Sequence, residues 1–358
     1  MPIRQWKAAV TQSEPRWFDK AAGVAKAIWL IHEAKANGAA LIAFAEVWLP
    51  GYPSFLWTGT YIENISLVQQ YIKSSISAHG SELLEIRRAA RDERMYVALG
   101  FSEIDGGSLY MAQMLIGSDG EILMHRRKIK PTHMERTLFG EGTGDSLRNV
   151  VDTPLGKIGM LNCWEHLQPL LKYHTFSQGE EVHIAMWPNN RTKTGPEPYS
   201  LSVEACVVLA SQMYAIEGQA WVLCTNYPIS QQGIEKNTSE ATMQQGKRWQ
   251  REAGGGAAAV YGPDGRLLTP KTDTTLDGLI YCDVDLDKVL EAKTVADPVS
   301  HYSRPDLLRL LVDDEPKHFI VNGRQGHAIS GGTFLAAHKS LEDLSDSGAD
   351  SSVKSEIV

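Results

Sequence analysis

Residues 156–169 read GKIGMLNCWEHLQP. An apolar run of strand length closes on Cys163. Trp164, Glu165 and His166 follow, and from residue 167 the pattern LQPLLKYHTFSQG is that of a helix. A switch of hydrophobic period within so few residues predicts a strand-to-helix turn. In open α/β sheets, turns at the carboxyl ends of strands are where active sites are built. Cys163 is therefore either a core thiol or a nucleophile held where a strand stops.

The same alternation runs outward in both directions. Downstream come VHIAMWP (182–188, strand), LSVEACVVLASQMYAIEG (201–218, helix) and AWVLCTN (220–226, strand). Upstream, KAAVTQ (7–12) reads as a strand, and 19–38 as a helix that Asp19 caps and Gly38 ends. ALIAFAE (40–46) is an apolar run closing on Glu46, as expected of a strand covered on both faces. A helix over 81–95 and a strand over 96–104 follow. Residues 109–128 and 257–269 each place an Asp-Gly turn between apolar runs, a hairpin signal. GLIYCDVDL (278–286) adds a late strand and DLLRLLVDD (306–314) a late helix. The repeated β-α units predict an internally duplicated, layered α/β fold with sheets inside and helices outside. Residues 229–256 are polar and end in three glycines, which predicts a surface loop. The tail 341–358 is rich in Ser and Asp, which predicts disorder.

The chain has 358 residues, 43% hydrophobic and 22% charged, enough for a large core. It contains no run of 18 apolar residues and its start lacks the pattern of a secretory signal, so neither a membrane partner nor secretion is expected. A net charge of −8 argues against a nucleic-acid partner and suits small-molecule chemistry. The four cysteines, Cys163, Cys206, Cys224 and Cys282, form no CxxC pair and read as reduced thiols in a cytoplasmic compartment. The N-x-[ST] matches at Asn190 and Asn237 are expected to be chance.

A free cysteine has a pKa of about 8.5 and needs a base or a cation nearby to react at neutral pH. Glu46 and Lys128 lie, like Cys163, where apolar runs end. Each alone has an ordinary reading: a solvated strand end, a surface charge, a core thiol. Their coincidence favours a catalytic group. Two rivals are weaker. A Cys163–His166 pair at i, i+3 faces itself only on a helix. A metal held by Cys163, His166 and His133 has no ligand motif behind it, so no metal is expected.

Three segments, AFAEVWLPGYP (43–53), HRRKIKPTHMER (125–136) and LNCWEHLQP (161–169), resemble in order and spacing the signature blocks of the nitrilase branch of the carbon–nitrogen hydrolase superfamily. The resemblance covers about residues 5–312 and is nearest to fungal-type nitrilases and their cyanide-hydrating relatives. The least typical position is Ala45, where many relatives carry proline.

The resemblance implies a four-layer αββα sandwich, pairing into an αββα–αββα dimer that many members wind into helical filaments, so a homo-oligomer is expected. It implies a hydrolase domain over 1–312. A C-terminal extension over 313–358 would contact other subunits and then become disordered. No cofactor is implied. Glu46 matches the general base, Lys128 the catalytic lysine, Cys163 the nucleophile and Glu135 a second glutamate holding the lysine. Trp164, His166, Tyr52, Trp57, His133 and Trp187 are expected to line a substrate pocket, with core packing as the bland alternative for each. The activity implied is hydrolysis of an organic nitrile, aromatic or arylaliphatic, to acid and ammonia with some amide. The alternative is hydration of cyanide to formamide, against which CWEH in place of CWEN speaks. A non-catalytic assembly protein is a third reading, and an amidase fits the cysteine block less well.

Overall fold

The computed structural model describes residues 2–189 and 198–318. Asn190, the tail 341–358 and most of the expected C-terminal extension lie outside the described residues. Eleven strands among them form two sheets. The strands are β1 Gln5–Gln12, β2 Leu41–Ala43, β3 Tyr96–Asp105, β4 Ser108–Ile116, β5 Ile122–Arg127, β6 Val150–Thr153, β7 Gly156–Asn162, β8 Val182–Met186, β9 Trp221–Thr225, β10 Ala259–Tyr261 and β11 Gly278–Asp285. The helices are α1 Lys20–Ala36, α2 Tyr61–Ser74, α3 Ser81–Asp92, α4 Pro169–Ser177, α5 Ala210–Gly218, α6 Gln231–Lys236, α7 Glu240–Gln244 and α8 Asp287–Lys293.

One sheet runs β11-β1-β2-β3-β4-β5 and the other β10-β9-β8-β7-β6. Each has a parallel centre, β1-β2-β3 and β7-β8-β9, flanked by antiparallel strands. This is the duplication that the sequence pattern predicts.

Alternation along the strands builds the layers. In β1, Ala8 and Val10 turn toward the second sheet, and Ala9 turns toward the α1 side. In β8, Val182, Ile184 and Met186 face the first sheet, while Ala185 joins Phe176 of α4 and Tyr214 of α5. Three apolar layers thus lie between α1–α3, the two sheets, and α4–α5. The result is the αββα sandwich, and no helix of the described residues is long and apolar enough to cross a membrane.

Local signals account for the ends. Asp19 accepts from the Ala22 amide, and Gly38, at φ +80°, follows the end of α1. Thr60 and Glu63 cap α2 reciprocally.

Two expectations fail. Residues 306–314 form a turn and extended chain rather than a helix. Leu307, Leu308 and Leu311 are 68%, 81% and 96% exposed, so the leucine repeat is not covered by any surface among the described residues. The segment 229–256 is more than a surface loop. It contains α6 and α7 and buries Ile234, Thr242 and Gln250.

Candidate active site

β2, β5 and β7 deliver three polar side chains to one place. The β2 ladder ends at Ala43, and Glu46 lies three residues on. Gly100 of β3 lets that turn settle, because an added Cβ there would overlap the Ala45 carbonyl oxygen. Lys128 follows β5 directly and ties its amide to the Met111 carbonyl at 2.8 Å. Cys163 follows β7 and opens a short 3-10 segment, Cys163–Leu167. Its φ is +46°, and Val47 after Glu46 and His133 after Thr132 are also positive, at +37° and +45°. Non-glycine residues rarely adopt this region, and strain of this kind clusters at functional sites.

The Lys128 ammonium lies between two carboxylates, 2.9 Å from Glu46 Oε1 and 2.8 Å from Glu135 Oε2. All three groups are buried. Glu135 also accepts from the Tyr52 hydroxyl at 2.9 Å and the Thr132 amide at 2.6 Å, and Trp57 Nε1 donates to the Tyr52 oxygen at 2.9 Å. The nearest ligand atoms of Glu46, Glu135 and Cys163 lie within 4.8 Å of one another. That spacing resembles a cation site, but Lys128 already bonds both carboxylates with its own positive charge.

Burial raises the Glu46 carboxyl to about 8, against the pull of Lys128 and with the help of Glu135. Burial lowers Lys128, but Glu135 and Glu46 outweigh it and hold the amine well above its ordinary value, so it stays an ammonium. Burial and then Glu46 push the Cys163 thiol well up, and Lys128 does not offset them. The resting sulfur is therefore a thiol.

Glu165 holds the two strand ends together, a role the sequence did not reveal. Its Oε1 accepts from Arg126 Nη2 (2.7 Å) and the Ile129 amide (2.9 Å). Its Oε2 accepts from Arg126 Nη1 (2.8 Å) and the Asn162 amide (2.8 Å). Burial raises its carboxyl, yet the guanidinium and the two amides together hold it below the usual range.

Around the thiol is a cavity of about 30 Å³ lined by Tyr52, Trp57, Trp164, Cys206 and Trp249 among others. Trp164 and Thr132 also border a groove of about 590 Å³, whose walls include His133, Leu171 and Leu311. His133 stacks on Trp57 at 5.3 Å, and Trp249 stacks on Trp57 at 4.7 Å. His166 and Trp187 line neither space. Both are buried beneath Cys163, stacked on each other at 4.9 Å. Cys206 and Trp249 are lining residues the sequence reading missed. No periodicity singles out Cys206, and Trp249 sits in a polar stretch whose only cue is the aromatic residue itself.

A buried thiol beside a carboxyl, an ammonium and a second carboxylate is the equipment of a cysteine hydrolase. The chain belongs to the carbon–nitrogen hydrolase family, whose sequence profile matches residues 7–294. It is similar to a cyanide hydratase of Alternaria brassicicola, 45% identical over 333 residues (92% of this chain, 91% of that one). It is equally similar to an arylacetonitrilase of Hypocrea virens, 45% identical over 318 residues (88% and 94%). Among solved structures, Nit3 of Saccharomyces cerevisiae, a nitrilase-superfamily member, shares the fold at a TM-score of 0.62 and 19% identity, covering 83% of this chain and 96% of that one.

Proposed function

We propose that this enzyme hydrolyses organic nitriles of aryl or arylaliphatic type, with Cys163 as nucleophile, Glu46 as general base, and Lys128, held by Glu135, as the electrostatic group. The observation that carries the reading is the lining of the thiol cavity by Tyr52, Trp57, Trp164 and Trp249. Apolar and aromatic walls with few polar groups are what an aryl ligand requires.

The chemistry follows from the side chains. Glu46 takes the thiol proton as sulfur adds to the nitrile carbon, and the proton passes to nitrogen, giving a thioimidate. Lys128 opposes the negative charge developing on that nitrogen. A water activated by Glu46 adds to the thioimidate carbon. Loss of ammonia from the tetrahedral species leaves a thioester, and a second water releases the acid and restores the thiol. If the tetrahedral species expels the thiol instead, the product is the amide.

A specific observation favours a second reading, hydration of cyanide to formamide. The cavity volume of about 30 Å³ suffices for only a water-sized guest or two. An aryl group needs the Trp164 wall, which separates the cavity from the larger groove, to yield. Four free cysteines support a reducing, cytoplasmic setting. The exposed Leu307, Leu308 and Leu311 support a homo-oligomer in which the C-terminal segment meets a neighbouring subunit.

The test is ammonia and formamide release on a panel of benzonitriles, arylacetonitriles and cyanide, for wild type and Trp164→Ala. The first reading expects an arylacetonitrile to outpace cyanide, and Trp164→Ala to favour bulkier or α-substituted nitriles and shift the amide fraction. Cyanide turned over much faster than every aryl nitrile replaces the first reading with the second.

A further inference from the structure

From the Cys163 carbonyl, four buried polar side chains follow one another in single file. His166 Nδ1 lies 2.6 Å from the Cys163 carbonyl oxygen, and its Nε2 lies 2.9 Å from His183 Nε2. His183 Nδ1 lies 2.6 Å from Glu180 Oε1, and Tyr214 donates to Glu180 Oε2 at 2.8 Å. Exposure of these four residues is 2% or less. The rings are clamped: His166 stacks on Trp187 at 4.9 Å, and His183 on Tyr214 at 3.8 Å. Room for the Glu180 carboxyl comes from Gly159 of β7, where an added Cβ would overlap Oε1.

Counting protons leaves few choices. The Cys163 carbonyl can only accept, so His166 must carry hydrogen on Nδ1. In a neutral ring its Nε2 is then bare, and His183 must donate from Nε2. His183 Nδ1 and Glu180 Oε1, 2.6 Å apart, must then hold one proton between them. Remove that proton and the ladder inverts: His183 Nδ1–H turns to the carboxylate, His166 donates from Nε2, and a bare Nδ1 faces the Cys163 carbonyl. Burial favours keeping the proton, because it raises Glu180 to about 8 and holds both histidines well below their ordinary value. The charged groups facing the ladder are Lys293 toward Glu180, Arg126 and Glu165 toward His183, Lys172 and Glu165 toward His166, and Glu217 toward Tyr214.

We propose that Glu180, His183 and His166 are positioning residues for the nucleophile: the proton between Glu180 and His183 fixes His166 with hydrogen on Nδ1, and that N–H holds the Cys163 carbonyl. The strained residue at φ +46° is thereby held through its own carbonyl. The role rests on reading Cys163 as the nucleophile, but its structural half can be tested without any substrate.

The full-length wild-type protein, labelled with 15N-histidine and assigned against His166→Asn and His183→Gln, reports the tautomers directly. The expected spectrum has His166 protonated on Nδ1 with a bare Nε2, and His183 protonated on Nε2. The inverse pair overturns the proposal, whatever the substrate. Glu180→Leu removes the donor to His183. It should lower kcat about tenfold with KM changed by less than about twofold, and slow alkylation of Cys163 by iodoacetamide to a similar extent. Glu180→Gln can donate to His183 and accept from Tyr214, so it should restore most of both rates. Equal losses with Leu and Gln, or no loss in a folded Leu variant, also overturn the proposal. If the Leu variant does not fold, the wild-type spectrum and the Gln variant still decide. If alkylation follows the ladder but no nitrile is turned over, the proposed function fails and this inference stands.

Discussion

Glu165→Gln tests whether the two strand ends are held by one carboxylate. In the native site each carboxylate oxygen accepts two hydrogen bonds, one from Arg126 and one from a backbone amide. A glutamine presents one oxygen and one NH2, so in either rotamer two of the four contacts become donor against donor. The charge opposite Arg126 is lost as well. Arg126 is 1% exposed, and its remaining partners are the neutral Gln113 side chain and the Ser146 carbonyl. Breaking a buried ion pair from one side costs about 3–5 kcal/mol. At roughly 2 °C per kcal/mol for a domain of this size, Tm should fall by about 6–10 °C. The Ile129 amide lies just past Lys128 and the Asn162 amide just before Cys163, so both side chains lose their anchors. A displacement of about 1 Å at a reacting group costs on the order of 100-fold in rate. Thermal unfolding and kcat on the best nitrile measure the two effects. The double variant Arg126→Met/Glu165→Met separates them: it should recover most of the stability, because no charge is left buried, while kcat stays low. A Glu165→Gln protein that melts within about 2 °C of wild type, or a double variant as unstable as the single one, would refute the reasoning.

Cys163→Ala should abolish turnover and leave the fold intact, since the thiol faces a cavity and its loss removes covalent catalysis outright. Residual hydrolysis above about one per cent of wild type would count against the assignment. A slow substrate should leave its adduct on Cys163 and on none of the other three thiols, read by mass spectrometry. The pH dependence has two signs. Glu46 acts as a base only when ionised, so kcat/KM should rise with pH and level off above about 8; a profile flat from pH 6 to 9 contradicts that role. Stability should run the other way. Glu46 and Glu180 hold their protons more tightly when folded, at about 8 against an ordinary 4.5, so their contribution is greatest below 4.5 and is lost as pH rises toward 8. Glu165, held low, acts only on the acid side, where its contribution is lost as pH falls below 4.5. His166 and His183, buried neutral, act in the opposite sense up to their ordinary 6.5, so Tm should change little from pH 5 to 6.5 and decline from 6.5 to 8, and decline less in Glu46→Gln.

The parts of this molecule that were legible in the sequence are those where one residue carries its own signal. An apolar run closing on a polar residue marks a strand end, and that pattern alone marks Glu46, Lys128 and Cys163. Asp19 and Gly38 bracket α1 for the same reason. α2 was missed although its capping pair, Thr60 and Glu63, was there to be read. Residues 306–314 show the opposite error, since leucines at helical spacing make a helix only where a surface covers them. What could not be read is what depends on two distant segments meeting. Glu165 looks like a polar residue of a turn until Arg126, 39 residues away, closes on it. Trp249 and Cys206 enter the cavity from segments far from every signature block. His166 sits in the right block, but its side chain points at His183, which only the parallel pairing of β7 and β8 brings near.

The division of labour between the two carboxyls that hold Lys128 follows from counting their donors. Glu135 is fixed by three: the ammonium, the Tyr52 hydroxyl and the Thr132 amide. Together they hold it as a standing partner for Lys128. Among the described residues Glu46 has one, the same ammonium on Oε1, and its buried Oε2 has no hydrogen-bond partner. One lysine cannot neutralise two carboxylates, so the second carries the uncompensated charge, and burial makes that charge costly. In the proposed chemistry Glu46 is accordingly the group that gains and loses a proton, and one of its carboxylate oxygens lies within 4.8 Å of the Cys163 sulfur. A base with its pKa near the working pH and an open lone pair suits both proton steps the chemistry requires, removal from sulfur and then from water. The asymmetry of the two carboxyls is set by Tyr52 and Thr132, both of which donate to Glu135.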